Sequence, residues 1–429
     1  MTTADSQVAT LERRIPGRGM TLAGPALVGL LAAAHAASDV PYAAVSALLP
    51  TIQARFGLTE AMLSLIVATF LFGASVTQPL FGALADRVGA RMVGAAGVLA
   101  NAFLLSLVGV APTVWLVFGL VLSGGLASAA LHPAFTGLAR RSAGTRASLA
   151  VSVFSAAGTL GVALGPVLVL AIMSSAGLGG TPLLMLPGLV LGLAAWLLVP
   201  DQPSRSREHR AFIDLQLVAG PVGGLTLATV LLFVPVVAFG AAIGIWLVAE
   251  QGVARDAPLI GWTLSAFSLA AAAGGIVAGA LAPRVSARLA VGGSLVAALV
   301  PLYALFLVEV GSAAWFAAVM LAGALLNAPM PIMVVTAQNL VPRSMAAASG
   351  MLHGLAHGVA GILYIGVGAL QGVLGIGAAL ALTFALPGVA ALVAVVVLTR
   401  IARSPTQPTA ECTCRVCRCT MPVSCACVA

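Results

Sequence analysis

Twelve apolar stretches follow one another along the chain, each close to the roughly 20 residues that carry a helix across the hydrocarbon core of a bilayer. They run approximately over 22–49, 60–84, 92–110, 113–138, 147–172, 182–199, 221–248, 259–282, 289–308, 313–340, 345–370 and 375–399. Only 7% of the 429 residues are charged and 61% are hydrophobic, against roughly 25% charged in soluble domains. No water-soluble fold of this size could cover its surface with so few charges, whereas lipid solvates apolar side chains directly. The 48 glycines suit close approach of helices inside a membrane. The expected fold is therefore an all-α membrane protein of 12 transmembrane helices.

Most connections between the stretches are short. The longest polar interruption, Pro200 to Asp214, holds three Arg, three acids and one His and falls halfway along the chain. It reads as a cytoplasmic linker (200–214) between a six-helix half over 1–199 and another over 215–403. The arginines orient the protein, because cytoplasmic loops of membrane proteins are enriched in Lys and Arg. With the N-terminus inside, 18 of the 20 arginines fall on the inner side, and only Arg55 and Arg255 fall outside. An error of one span in the middle would throw the later arginines onto the wrong face, so the count supports an even number of helices and two cytoplasmic termini. The N-terminus is polar to about Met20 and lacks a signal-peptide cleavage pattern; insertion is expected to be driven by the first span.

Residues 82–91 read GALADRVGAR and residues 279–288 read GALAPRVSAR, eight of ten positions matching at an offset of 197. Arg146 and Arg343 keep the same offset. Each decapeptide closes the second helix of its half. Positive-inside loops would share charge, but not the order GALA-x-RV-x-AR. Parallel repeats of six helices, related by an axis along the membrane normal, are a transporter architecture.

GALADRVGAR resembles the signature loop between helices 2 and 3 of the major facilitator superfamily, with Gly82, Leu84, Ala85, Asp86, Arg87, Gly89 and Arg91 filling the pattern. The resemblance implies two pseudo-symmetric six-helix bundles that rock about a central cavity in alternating access. It also implies that the loop gates the cytoplasmic side, with Asp86 bonding to arginines or to a helix N-terminus in one state. In the second copy Pro283 replaces Asp86 and Ser286 replaces Gly89, so that copy is expected to keep the topology and lose the latch. A narrower similarity, to the fosmidomycin-resistance branch of drug exporters, rests on three segments: ASDVPYAAVSALLP at 37–50, Leu131-His132-Pro133 followed by Arg140 and Arg141, and SLAVSVFSAAGTLGVALGP at 148–166. Within the last, Gly158, Gly161, Gly165 and Pro166 are similar to part of the helix-5 motif of proton-driven antiporters and are expected to act as a hinge. Ser152 and Val169-Leu170 depart from that motif. The same glycines would also serve as a packing seam with a proline kink.

Ionisable groups at membrane depth are costly and point to function. One mid-span carboxylate exists, Asp39, with His35 four residues earlier on the same face of helix 1. A carboxylate beside an imidazole in an apolar setting suits a proton carrier; the other reading is a structural pair bonding to another helix. His353 and His357 are likewise four apart in helix 11. Together with Gln78, Asn101, His132 and Asn327 they are candidates for lining a substrate cavity, with a proton relay, helix packing and a weak two-imidazole metal site as the alternatives.

All six cysteines fall in the last 19 residues, at Cys412, Cys414, Cys417, Cys419, Cys425 and Cys427. Clustered thiolates suit soft metals or an arsenical, and a cytoplasmic location argues against disulfides; the spacing matches no zinc finger, and a disordered tail over 404–429 without a role in transport is the plainer reading. Neither a phosphate-binding loop with Lys nor a nucleophile constellation is found, so no enzyme, ATP hydrolysis or cofactor is expected. Nor does the thin spread of arginines at span ends fit nucleic acid. The function expected is secondary transport: proton-coupled efflux (antiport) of small organic molecules or drugs in the inner (plasma) membrane by a protein able to work as a monomer. Metal or metalloid efflux through the Cys-rich tail is the alternative.

Overall fold

The computed structural model describes residues 22–200, 219–341 and 345–403. The six cysteines, the linker beyond Pro200, and Arg13, Arg14, Arg18 and Arg343 lie outside the described residues. Within them the chain is helical throughout, as hydrocarbon demands, because a single span can satisfy its backbone N–H and C=O groups there only within a helix. Eleven helices are long and apolar enough to cross a bilayer, and a bent pair makes the twelfth. The first six are α1 (Gly24–Phe56), α2 (Glu60–Val76 continued by Gln78–Val88), α3 (Ala90–Val110), α4 (Val114–Ser142), α5 (Leu149–Ala176) and α6 (Leu178–Leu198). The second six are α7 (Pro221–Ala249), α8 (Pro258–Leu281), α9 (Ala287–Ala304), α10 (Ala313–Leu340), α11 (Ala347–Leu374) and α12 (Ile376–Arg403). Every expected span is present. Most spans are longer than hydropathy suggested, because helices continue past the apolar run into the loop region; α2 reaches Val88 rather than 84, whereas α9 stops at Ala304 rather than 308.

Helix ends follow local chemistry. Thr59, Thr113, Ser286 and Ser312 cap the starts of α2, α4, α9 and α10 by accepting backbone N–H groups. Gly57, in the left-handed region at φ 62°, ends α1. The bend of 42° in α2 follows a π-helical turn at Phe72–Val76, where the register slips and Pro79 restarts the helix. A second π-helical turn, Met351–Leu355, occurs in α11.

Helices α1–α6 and α7–α12 form two bundles. The bundles meet along the halves of their helices remote from the repeated loops. There Gly368 packs on Ser64, Gly261 on the Pro166 carbonyl and Gly244 beside Pro50, and the Ser265 hydroxyl donates to the Ala163 carbonyl. Glycine and serine permit such backbone-to-backbone approach. On the loop side, Gln78–Val88 packs against α3 and α4 of its own bundle. Contact between the bundles also continues toward the loop side through α2 and α11, where Gly354 and Gly358 pack beside Ser75.

Inside the first bundle the apolar core is interrupted. One cluster holds Leu27, Leu31, Ala34, Val98, Ala130 and Phe154 at the loop-side end. Another, beginning at Val40 on α1 and Leu105 on α3, continues into the second bundle. Between them lies a layer of buried polar side chains, His35, Ser38, Asp39 and Asn101, with half-buried His132 beside them.

Candidate functional site: a histidine–aspartate layer beside a central cavity

The polar layer is built on the tightest helix pair of the first bundle. Gly158, Gly161 and Gly165 recur on one face of α5 and press on α1. A Cβ at Gly161 would lie within 2.9 Å of the Ala36 carbonyl carbon, and one at Gly165 within 2.9 Å of the Ala43 Cβ. A Cβ at Gly158 would come within 2.9 Å of Asp39 Oδ2 and closer still to the His35 ring. These glycines therefore form a packing seam, and α5 runs as one helix through Pro166.

His35 and Asp39, 6% and 9% exposed, sit one turn apart with Nε2 and Oδ2 separated by 3.2 Å. Two further contacts pin His35. Its Nδ1 lies 2.8 Å from the Phe154 carbonyl oxygen, and its ring stacks on Phe154 at 4.2 Å between centroids. Its Nε2 lies 3.1 Å from Nε2 of His132, the two rings meeting edge to face. His132 Nδ1 in turn lies 2.7 Å from the Ser128 carbonyl oxygen. His132, expected at the substrate, is thus joined to the expected proton pair. The sequence offered no signal for this, since 97 residues separate the two histidines.

The same three side chains are the one group of three potential metal donors among the described residues, their ligand atoms all within 4.8 Å of one another. Two imidazoles on a tetrahedral zinc, with bonds of about 2.0–2.1 Å, would stand about 3.4 Å apart. The observed 3.1 Å is a hydrogen-bond length.

The other polar candidates divide. Asn101 is fully buried; it accepts from Ser38 Oγ at 3.0 Å and donates to the Gly124 carbonyl at 3.1 Å, tying α1, α3 and α4 together. Asn327 donates to the Ala271 carbonyl at 2.7 Å, joining α10 to α8. Gln78 donates to the Ala74 carbonyl of its own helix at 2.9 Å. His353 is exposed. His357 stacks on Phe233 at 4.5 Å and lines a cavity of about 250 Å³ between the bundles.

That cavity has mainly apolar walls. Tyr42 and Ser46 of α1, Phe70 of α2, Pro166 of α5, Phe239 of α7, and Phe267 and Ser268 of α8 contribute to it. Tyr42 stacks on Phe70 at 4.4 Å, and Phe239 on Phe267 at 4.1 Å. Tyr42 and Ser46 follow His35 and Asp39 along one stripe of α1, at i+3 to i+7 from Asp39, so helical periodicity could have flagged them. The aromatic residues carry no such sequence signal, being ordinary members of apolar spans.

At the repeated loops the two copies diverge. Gly89 adopts φ 104°, a conformation that favours glycine. Ser286, its counterpart, has φ −59° and instead caps α9. Asp86 is exposed and forms no ion pair among the described residues. Arg87 is exposed, Arg91 half-buried, and Gly82 packs beside Pro133.

Twelve helices in two bundles around a central cavity, with a buried ionisable group beside it, define a membrane transporter. Residues 31–364 match the family model of the Major Facilitator Superfamily, and the chain belongs to that family. It is 25% identical over 349 residues to the fosmidomycin resistance protein of Escherichia coli (strain K12), covering 78% of this chain and 84% of that one. It is also 25% identical over 373 residues to the uncharacterized MFS-type transporter YfnC of Bacillus subtilis (strain 168), covering 84% and 90%. Among solved structures it resembles the nucleoside transporter NupG, with a TM-score of 0.71 at 14% identity over 86% of this chain and 99% of that one. It also resembles a bacterial homolog of the human lysosomal transporter Spinster in an inward-facing, occupied conformation, with a TM-score of 0.67 at 16% identity over 88% and 94%. Identities this low speak for the fold alone.

Proposed function

We propose that the protein is a proton-coupled exporter of small organic molecules, acting as a monomer in the bacterial inner membrane with both termini in the cytoplasm. The observation that carries this reading is the buried His35–Asp39 pair at 3.2 Å. It is the one site among the described residues where a carboxylate lies at membrane depth, and it lies on the stripe of α1 that continues to the cavity wall at Tyr42 and Ser46. A carboxylate that must be taken out of water is retained where a proton is bound and released. Export is the direction that fits resistance, the property named in the Escherichia coli relative.

The cavity walls suit an uncharged or aromatic compound, since stacked rings line them and no Arg or carboxylate does. In proteoliposomes, an imposed pH gradient should drive a test panel of uncharged aromatic antibiotics uphill, and an uncoupler should abolish the movement. Asp39→Asn should lose uphill transport and retain exchange of labelled for unlabelled compound. Transport indifferent to the gradient, or full gradient-driven transport by Asp39→Asn, would overturn the proposal.

A further inference from the structure

The hydrogen-bond inventory of the two histidines counts protons. A backbone carbonyl oxygen only accepts, so each imidazole Nδ1 facing one must carry a hydrogen. His35 Nδ1 faces the Phe154 carbonyl oxygen at 2.8 Å and His132 Nδ1 faces that of Ser128 at 2.7 Å. A neutral imidazole has one N–H. Both Nε2 atoms would then be bare acceptors, yet they lie 3.1 Å apart, at hydrogen-bond distance. With no further proton, two lone pairs confront each other. With two further protons, two N–H donors and two positive charges confront each other at the same distance. Only one extra proton turns the contact into a donor and an acceptor.

We infer that His35 and His132 together hold a single shared proton between their Nε2 atoms, with the Asp39 carboxylate as its counter-charge. This deepens the proton-coupling reading and rests on it for its role in transport, although the proton count itself comes from geometry. The cluster is electrically neutral when it holds that proton: one imidazolium, one imidazole, one carboxylate. Asp39 Oδ2, 3.2 Å from His35 Nε2, draws the shared proton toward His35. Tyr42, on the next turn of α1, is the remaining titratable side chain of that stripe; α5 and α4 contribute the two carbonyl acceptors. His132 is thereby a proton-binding partner rather than a wall of the substrate cavity. Loading or emptying the pair needs a route for the proton at Nε2, and Asp39 Oδ2, 3.2 Å from His35 Nε2, is the adjacent acceptor. Pro133 follows His132 directly and abuts Gly82 at the end of α2, so movement of the repeated loop bears on the position of this ring.

The test needs no substrate. Full-length protein, labelled with ¹⁵N at its five histidines and held in lipid nanodiscs, is examined by NMR. The expected result is one pair of Nε2 nitrogens coupled through a single intervening proton, one ring charged and one neutral. That pattern should persist across about pH 5–8, where a lone histidine changes charge. It should vanish in His132→Gln, whose amide can donate to His35 Nε2 without a proton, and persist in His357→Gln. Two neutral rings, two charged rings, or retention of the coupling in His132→Gln would overturn the inference. A shared proton observed in a protein that ignores pH gradients would sink the coupling proposal and leave the proton count standing.

Discussion

Gly158→Ala tests the seam that positions the polar layer without replacing a titratable group. The added methyl would fall within 2.9 Å of Asp39 Oδ2 and nearer still to the His35 ring. That ring cannot yield freely, being held by Phe154, His132 and Asp39. Overpacking costs about 1–3 kcal/mol, and losing one of the ring's hydrogen bonds adds about 1 kcal/mol. Replacing a helical glycine by alanine returns about 1 kcal/mol. The net loss is about 1–3 kcal/mol. Gly119→Ala in α4 is the control, because nothing lies within 4 Å of a Cβ there, and it should be neutral or stabilising by up to about 1 kcal/mol. Thermal unfolding of detergent-purified variants should therefore place Gly158→Ala below wild type and Gly119→Ala at or above it. Gradient-driven transport should fall about tenfold or more in Gly158→Ala while exchange survives, since a displaced His35 no longer meets His132. Equal unfolding temperatures for the two variants, together with wild-type transport by Gly158→Ala, would refute the account of the seam.

Three further outcomes are expected. Asp86→Asn should lower transport about tenfold, whereas Pro283→Ala should change it little; equal effects in the same uptake assay would deny that the two loops have diverged. Glu250→Gln should lower the unfolding temperature by an amount matching about 1 kcal/mol, because Glu250 Oε1 accepts the Ile376 and Gly377 N–H groups at 2.8 and 3.0 Å at the start of α12, while Oε2 accepts Trp246 Nε1 at 2.9 Å. Tyr42→Ala should weaken substrate affinity, read as a raised KM with little change in kcat, by removing one partner of the Tyr42–Phe70 stack in the cavity wall; an unchanged KM would remove that wall from the binding site.

The spans, their number and the loop duplication were legible in one dimension because a bilayer imposes a rule that acts residue by residue: each crossing must be apolar and about 20 residues long. The pairing of His35 with Asp39 was legible for a similar reason, since helical periodicity places i and i+4 on one face. Even the divergence of the loops was marked in sequence, Gly89 against Ser286, although the reason emerged only with Gly89 at φ 104° and Ser286 acting as a cap. Periodicity could not rank the polar candidates. Asn101, Asn327 and His132 are equally conspicuous in an apolar span, yet two are bonded to neighbouring helices and the third faces His35. Whether a polar side chain binds, couples or merely packs depends on which helix lies across from it, and that is set by long-range contacts such as the α1–α5 glycine seam. Hydropathy thus wrote the crossing pattern into the chain, while the meeting of His35, Asp39 and His132 from α1 and α4 arises only when the bundle closes and leaves them one another as partners.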